Sequence, residues 1–140
     1  PVHYLRRSLP IEELVAYYLA ADVMLVTPFR DGMNLVAKEY VASRKNENGV
    51  LVLSEFTGSA VELDRAVLVN PHDIDGMAAT IEQAITMPRQ EQTRRMRSLR
   101  QRVRKRTVYT WASDFTQALE AEQPRPSSTN MQLPIDTPSP

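Results

Sequence analysis

The chain has 140 residues, 42% of them apolar, with 17 basic and 17 acidic side chains and no cysteine. That length holds one compact domain rather than two, the zero net charge excludes a global field toward nucleic acid or membrane, and the missing cysteine excludes disulfides and thiolate metal sites. No stretch reaches the roughly 18 to 20 apolar residues of a membrane helix, and the opening "PVHYLRRSLP" lacks the apolar centre of a signal peptide, so a cytoplasmic location is expected.

In chain order, "VHYL" reads as the end of a strand. Pro10 suits the first turn of a helix, and Glu12 and Glu13 favour the positive end of its dipole. "IEELVAYYLAA" places Ile11, Leu14, Val15, Tyr18 and Leu19 on one face at helical spacing. "DVMLVTP" is a continuous apolar run ended by Pro28, as in a strand covered on both faces. A loop and a helix from about Asn34 to Arg44 follow. "KNENG" is a polar turn, "VLVLS" a second buried strand, "EFTGSAVEL" a loop with a short helix, and "AVLVN" a third strand. Strands alternating with helices predict a Rossmann-like α/β fold with a parallel sheet and right-handed crossovers. From "PHDIDG" onward the chain reads as helical. Asp73 or Asp75 caps a helix to about Met87, Pro88 starts another, and "YTWASDFTQALEAE" forms a last amphipathic segment. Residues 1–122 are expected as the folded part. Residues 123–140 carry five of the ten prolines and little apolar bulk, the composition of a disordered tail.

The stretch "RDGMNLVAKEY", residues 30–40, carries the chemistry. Ligands of open parallel sheets sit beyond the carboxyl ends of the strands, where loops lead into helices. Gly32 permits close backbone approach or positive φ. The N–H groups from Met33 to Val36 are those a helix start leaves unpaired, ready for phosphate oxygens. Asp31, just ahead, could accept from sugar hydroxyls. Glu39, one turn after Leu35, shares its face and suits the two hydroxyls of a ribose. The same residues equally fit an ordinary loop, with Asp31 as a local cap and Glu39 solvated or ion-paired.

"LAADVMLVTPFRDGMNLVAKEYVASR", then "GVLVLSEFTGSAVEL" and "VLVNPHDIDG", resembles the C-terminal half of the trehalose-6-phosphate synthases, retaining two-Rossmann-domain (GT-B) glycosyltransferases of family 20. The resemblance covers roughly residues 1 to 120, and "RDGMNLVAKEY" is highly specific to that family. It implies transfer of glucose from UDP-glucose to glucose 6-phosphate, without a metal or other cofactor. It implies that Asp31 contacts the donor glucose and that the amides from Met33 through Val36 hold glucose and diphosphate. Leu35, Val36, Ala37 and Lys38 would line the nucleotide, Glu39 would bind the ribose, and Leu9 would touch the uracil through its main chain. The family's acceptor-binding domain and its Arg and Lys diphosphate clamp are absent from this chain. Thr57 and Ser59 stand where relatives commonly carry alanine. The chain, opening on Pro rather than Met, reads as a fragment or processed product that is inactive alone. A homo-oligomer of the full-length enzyme stays open. So do a synthase with another acceptor, such as glycerol 3-phosphate, and a non-catalytic nucleotide- or polyanion-binding module.

Other signals are weaker. Asp73-x-Asp75 has the spacing of a metal site but stands at a helix start, where N-capping is expected. His3 and His72 lack ligand partners and read as structural or surface residues. Eight of the 17 basic residues lie between Arg94 and Arg106. Such a run can follow nucleic acid or lipid phosphates, yet Met96, Leu99 and Val103 form a packing stripe, which leaves the arginines to solvent. Nucleic acid is therefore not an expected partner. Trp111 and Phe115, four apart, read as core anchors of the last helix.

Overall fold

The structure, a computed structural model, describes residues 2–121. Helix α1, Ile11–Ala20, begins directly after Pro10, whose φ of −57° pre-orders the first turn. Strand β1, Val23–Val26, is followed by helix α2, Leu35–Ser43, then by β2, Val50–Ser54. Helix α3, Ser59–Glu62, is a single turn leading to β3, Val67–Val69. Helices α4, Ile74–Ile85, and α5, Arg89–Lys105, complete a unit that ends at Thr107.

Among the described residues the sheet has three parallel strands in the order β1-β2-β3, with Val23 opposite Val50 and Val52 opposite Val67. Every residue of β2 is buried, because both faces of the central strand are covered. Leu51 and Leu53 face one core with Tyr18, Tyr40, Val41, Met96 and Leu99, drawn from α1, α2 and α5. Val50 and Val52 face the other, with Val69, Ala84 and Met87. The expected Rossmann-like α/β class is therefore what the chain adopts.

Three expectations are corrected here. "VHYL" is not a strand: Val2 and Tyr4 are 96% and 83% exposed, and extended backbone without a neighbouring strand has no ladder to join. The helix expected to reach Met87 stops at Ile85, and Met87 itself turns into the second core ahead of Pro88. The arginines of α5 are not simply solvated. Arg100 is buried and donates to the carbonyls of Val41 and Ala42 at 3.1 and 2.8 Å, at the carboxyl end of α2. Arg97 pairs with Glu47, Arg102 with Asp64, and Arg94 and Arg95 with Glu91. Arg44, 1% exposed, does for α1 what Arg100 does for α2, donating to Tyr18 and Leu19 carbonyls at 3.0 and 2.7 Å. A cation there satisfies orphan carbonyls and opposes the negative end of the dipole.

Helix α6, Val108–Ala121, belongs to a separate unit. Trp111 and Phe115 stack on each other at 5.4 Å and 11°, and remain 48% and 52% exposed, so they are not core anchors. The tail expected over 123–140 lies outside the described residues.

Candidate functional site

The carboxyl ends of the three strands release three loops, and these are bound to one another. The loop after β1 runs beside the loop after β2. The Asp31 amide donates to the Phe56 carbonyl at 3.3 Å, and the Gly58 amide returns a bond to the Asp31 carbonyl at 2.9 Å. The backbones approach so closely that a Cβ on Gly58 would sit 2.0 Å from the Gly32 oxygen. The tight approach thus demands glycine at 58, while Gly32 itself faces open space on its Cβ side. Thr57 and Ser59, where alanine was the common alternative, add buried hydroxyl bonds: Thr57 donates to the Ser54 carbonyl at 3.1 Å and Ser59 to Thr57 at 3.2 Å. Aromatic contacts join the third loop. His72, after β3, lies 4.7 Å from the Phe29 ring and 5.7 Å from the Phe56 ring. His72, read from sequence as a structural or surface residue, is exposed yet makes both ring contacts, and nothing in its spacing relates it to either phenylalanine.

The start of α2 is built by two side chains. Asp31 Oδ1 accepts from the amides of Met33 and Asn34, both at 3.1 Å, and its Oδ2 accepts from Asn34 Nδ2 at 2.8 Å. Asn34 is the N-cap, in the left-handed region at φ 62°, and its Oδ1 accepts from the Ala37 amide at 2.9 Å. Asparagine tolerates that conformation better than most residues. The Asn34 side-chain bond, then the Met33 amide, hold the Asp31 carboxyl below the usual aspartate range.

This arrangement narrows the expected donor set. The amides of Met33 and Asn34 are taken by Asp31. Ala37 is fully buried, and its amide donates to Asn34 Oδ1. The Leu35 and Val36 amides have no partner among the described residues, and their side chains are exposed. These two are the free donors of the helix start. Lys38 turns aside to an ion pair with Glu62 of α3 at 2.7 Å. Glu39 is exposed, one turn beyond Leu35, and accepts from the Tyr18 hydroxyl of α1 at 3.0 Å. Leu9 is partly buried, immediately ahead of Pro10 at the α1 cap. A cavity of about 220 Å³ lies elsewhere, lined by Arg65, Glu91, Arg94, Arg95 and Ser98. Glu91 already occupies two of its arginines.

Two amide donors, a carboxylate beyond them and an open glycine surface suit a phosphorylated sugar. Comparison with known proteins decides the lineage. Residues 1–121 match the profile of glycosyltransferase family 20. The chain belongs to glycosyltransferase family 20. Among its relatives, the trehalose-6-phosphate synthase of Mycobacterium leprae (strain TN) is 59% identical over 128 residues, 91% of this chain and 26% of that protein. A UDP-forming α,α-trehalose-phosphate synthase from Burkholderia xenovorans, solved in complex with glucose-6-phosphate, superposes with a TM-score of 0.77 at 46% identity, covering 84% of this chain and 26% of its own. A trehalose-6-phosphate protein from E. coli bound with UDP-2-fluoro glucose superposes at 0.79 with 42% identity, covering 89% and 28%. This family-20 chain spans about a quarter of the length of those relatives. Over the quarter of those chains that it matches, this chain has their fold, so the three joined strand-end loops belong to part of a family-20 scaffold.

Proposed function

We propose that this chain is the donor-binding part of a retaining glucosyltransferase that makes trehalose 6-phosphate from UDP-glucose and glucose 6-phosphate. The observation that carries the reading is the start of α2. There the free amides of Leu35 and Val36 stand one helical turn ahead of the exposed carboxylate of Glu39 on a family-20 scaffold. The relatives' bound ligands, a UDP-glucose analogue and glucose-6-phosphate, support the same substrates.

In this scheme the diphosphate rests on the Leu35 and Val36 N–H groups and on the positive end of the helix dipole. Those donors gain strength as the sugar–phosphate bond breaks and charge collects on the departing diphosphate, which is how fixed dipoles lower a barrier. Asp31 has three of its roughly four acceptor positions filled by Met33 and Asn34. It keeps room for one hydroxyl of the glucose. Glu39 accepts from the ribose. Because the diphosphate leaves on the same face as the acceptor hydroxyl attacks, it takes that hydroxyl's proton, and the α configuration is kept. No metal enters the scheme.

The acceptor site and the cationic clamp lie outside these 140 residues, so binding without turnover is expected. Ligand-observed NMR is the test. UDP-glucose should bind the chain and lose about tenfold in affinity with Glu39→Ala, the scale of one charge-assisted hydrogen-bond pair. Binding that Glu39→Ala leaves unchanged would remove the ribose assignment. Release of UDP by the isolated chain with both sugars present would remove the expectation that it is inactive alone.

A further inference from the structure

Glu39 is an exposed side chain with several free torsions, yet a ribose acceptor must stand still. What fixes it comes from a different helix. Tyr18 of α1 is 4% exposed, and its hydroxyl donates to Glu39 Oε2 at 3.0 Å, across 21 residues of sequence. The ring cannot swing away. It meets the Tyr40 ring edge-on at 6.2 Å and 80°, and Tyr40 is itself fully buried, its hydroxyl donating to the Ala21 carbonyl at 3.3 Å. The carbonyl behind it, Tyr18 O, accepts from buried Arg44. No second partner for the Tyr18 hydroxyl is found among the described residues. A buried phenol needs a partner, and the only one offered is the carboxylate at the rim of the site.

We infer that Tyr18 is a positioning and specificity-determining residue: its hydroxyl pins Glu39 in the rotamer that accepts from both ribose hydroxyls, so the site selects ribonucleotide over deoxyribonucleotide donors. The inference rests on the ribose role of Glu39 proposed above. One Glu39 oxygen is engaged by the phenol, and the other, with the remaining lone pairs, accepts from nothing else among the described residues. An analogue lacking one hydroxyl forfeits the bond that hydroxyl would have made, and the loss is felt more when the acceptor is already held in place than when it must first be ordered. Burial, then the Glu39 bond, push the Tyr18 hydroxyl up to about 12, so it stays a donor throughout the neutral range.

The test compares UDP with 2′-deoxy-UDP on the 140-residue chain, in wild type, Tyr18→Phe and Glu39→Gln, beside ¹³C relaxation of the Glu39 side chain without ligand. Phenylalanine keeps the ring and its packing, so the fold is retained. Wild type should prefer UDP by roughly tenfold, and Tyr18→Phe should remove most of that preference. The same variant should loosen Glu39 in the relaxation data. Unchanged preference in Tyr18→Phe, with preference lost in Glu39→Gln, would overturn this inference alone. Equal affinities for both nucleotides in wild type, or no binding of either, would overturn the ribose reading and the selectivity with it, while the relaxation data would still report whether Tyr18 holds Glu39.

Discussion

At Asn34 the backbone turns through φ 62° to start α2, and the side chain closes the turn on Ala37. Strain of this kind persists where the surroundings over-determine it; here Asp31 does so with three bonds. Because those bonds favour the ionised carboxyl, the Asp31 pKa is lower in the folded chain than in the unfolded one. Its contribution is therefore complete above the ordinary aspartate range near about 4 and is lost as pH falls through the depressed folded value. Acid titration followed by NMR should show the Met33 and Asn34 amide resonances moving together below that range, and Asp31→Asn should abolish the movement. Gly58 is the second sensitive position. Gly58→Ala places a methyl carbon against the Gly32 carbonyl and should cost about 1 to 3 kcal/mol in thermal unfolding. The composition "RDGMN" announced a special turn, and Asp31 and Glu39 were legible as its acids. Which amides stay free was not legible, since that depends on Asp31 folding back on its own loop. Tyr18 read only as one residue of an apolar helix face, because its hydroxyl's partner lies on another helix.

Among the elements, the three strands were legible because "DVMLVTP", "VLVLS" and "AVLVN" are apolar runs bounded by turn residues, a local signal. "VHYL" misled for the complementary reason: β character in a short run becomes a strand only when a neighbour supplies the ladder. The basic run of α5 shows the limit of reading charge from sequence. Met96 and Leu99 pack as their spacing predicted, but no pattern reveals that Arg100 points inward to the end of α2. Arg100→Ala strands the buried Val41 carbonyl, with the Ala42 carbonyl only partly covered, and should destabilise the chain by about 1 to 3 kcal/mol in urea unfolding. That loss should survive raised salt, since a buried contact is poorly screened. Arg94→Ala removes only an exposed pair with Glu91 and should stay within about 0.5 kcal/mol.

For the molecule as a whole, charge balance governs what it will not gather. Net charge is zero, and Arg94, Arg95, Arg97, Arg100 and Arg102 all have carboxylate or carbonyl partners within the chain. Binding to a labelled DNA duplex at physiological salt should accordingly be weaker than about 100 μM by fluorescence anisotropy, outside the usual non-specific range. Sub-micromolar, salt-sensitive binding would restore the polyanion reading.

The contacts around the donor site close on themselves. From Asp31 the chain of bonds passes to Gly58, on through α3 to Glu62, across the ion pair to Lys38, and along α2 back to Asn34 and Asp31. A circuit of this kind has no loose end to tether when a ligand arrives. Much of the immobilisation that a flexible cradle would undergo on binding has already taken place during folding, so more of the energy of each new contact remains as affinity.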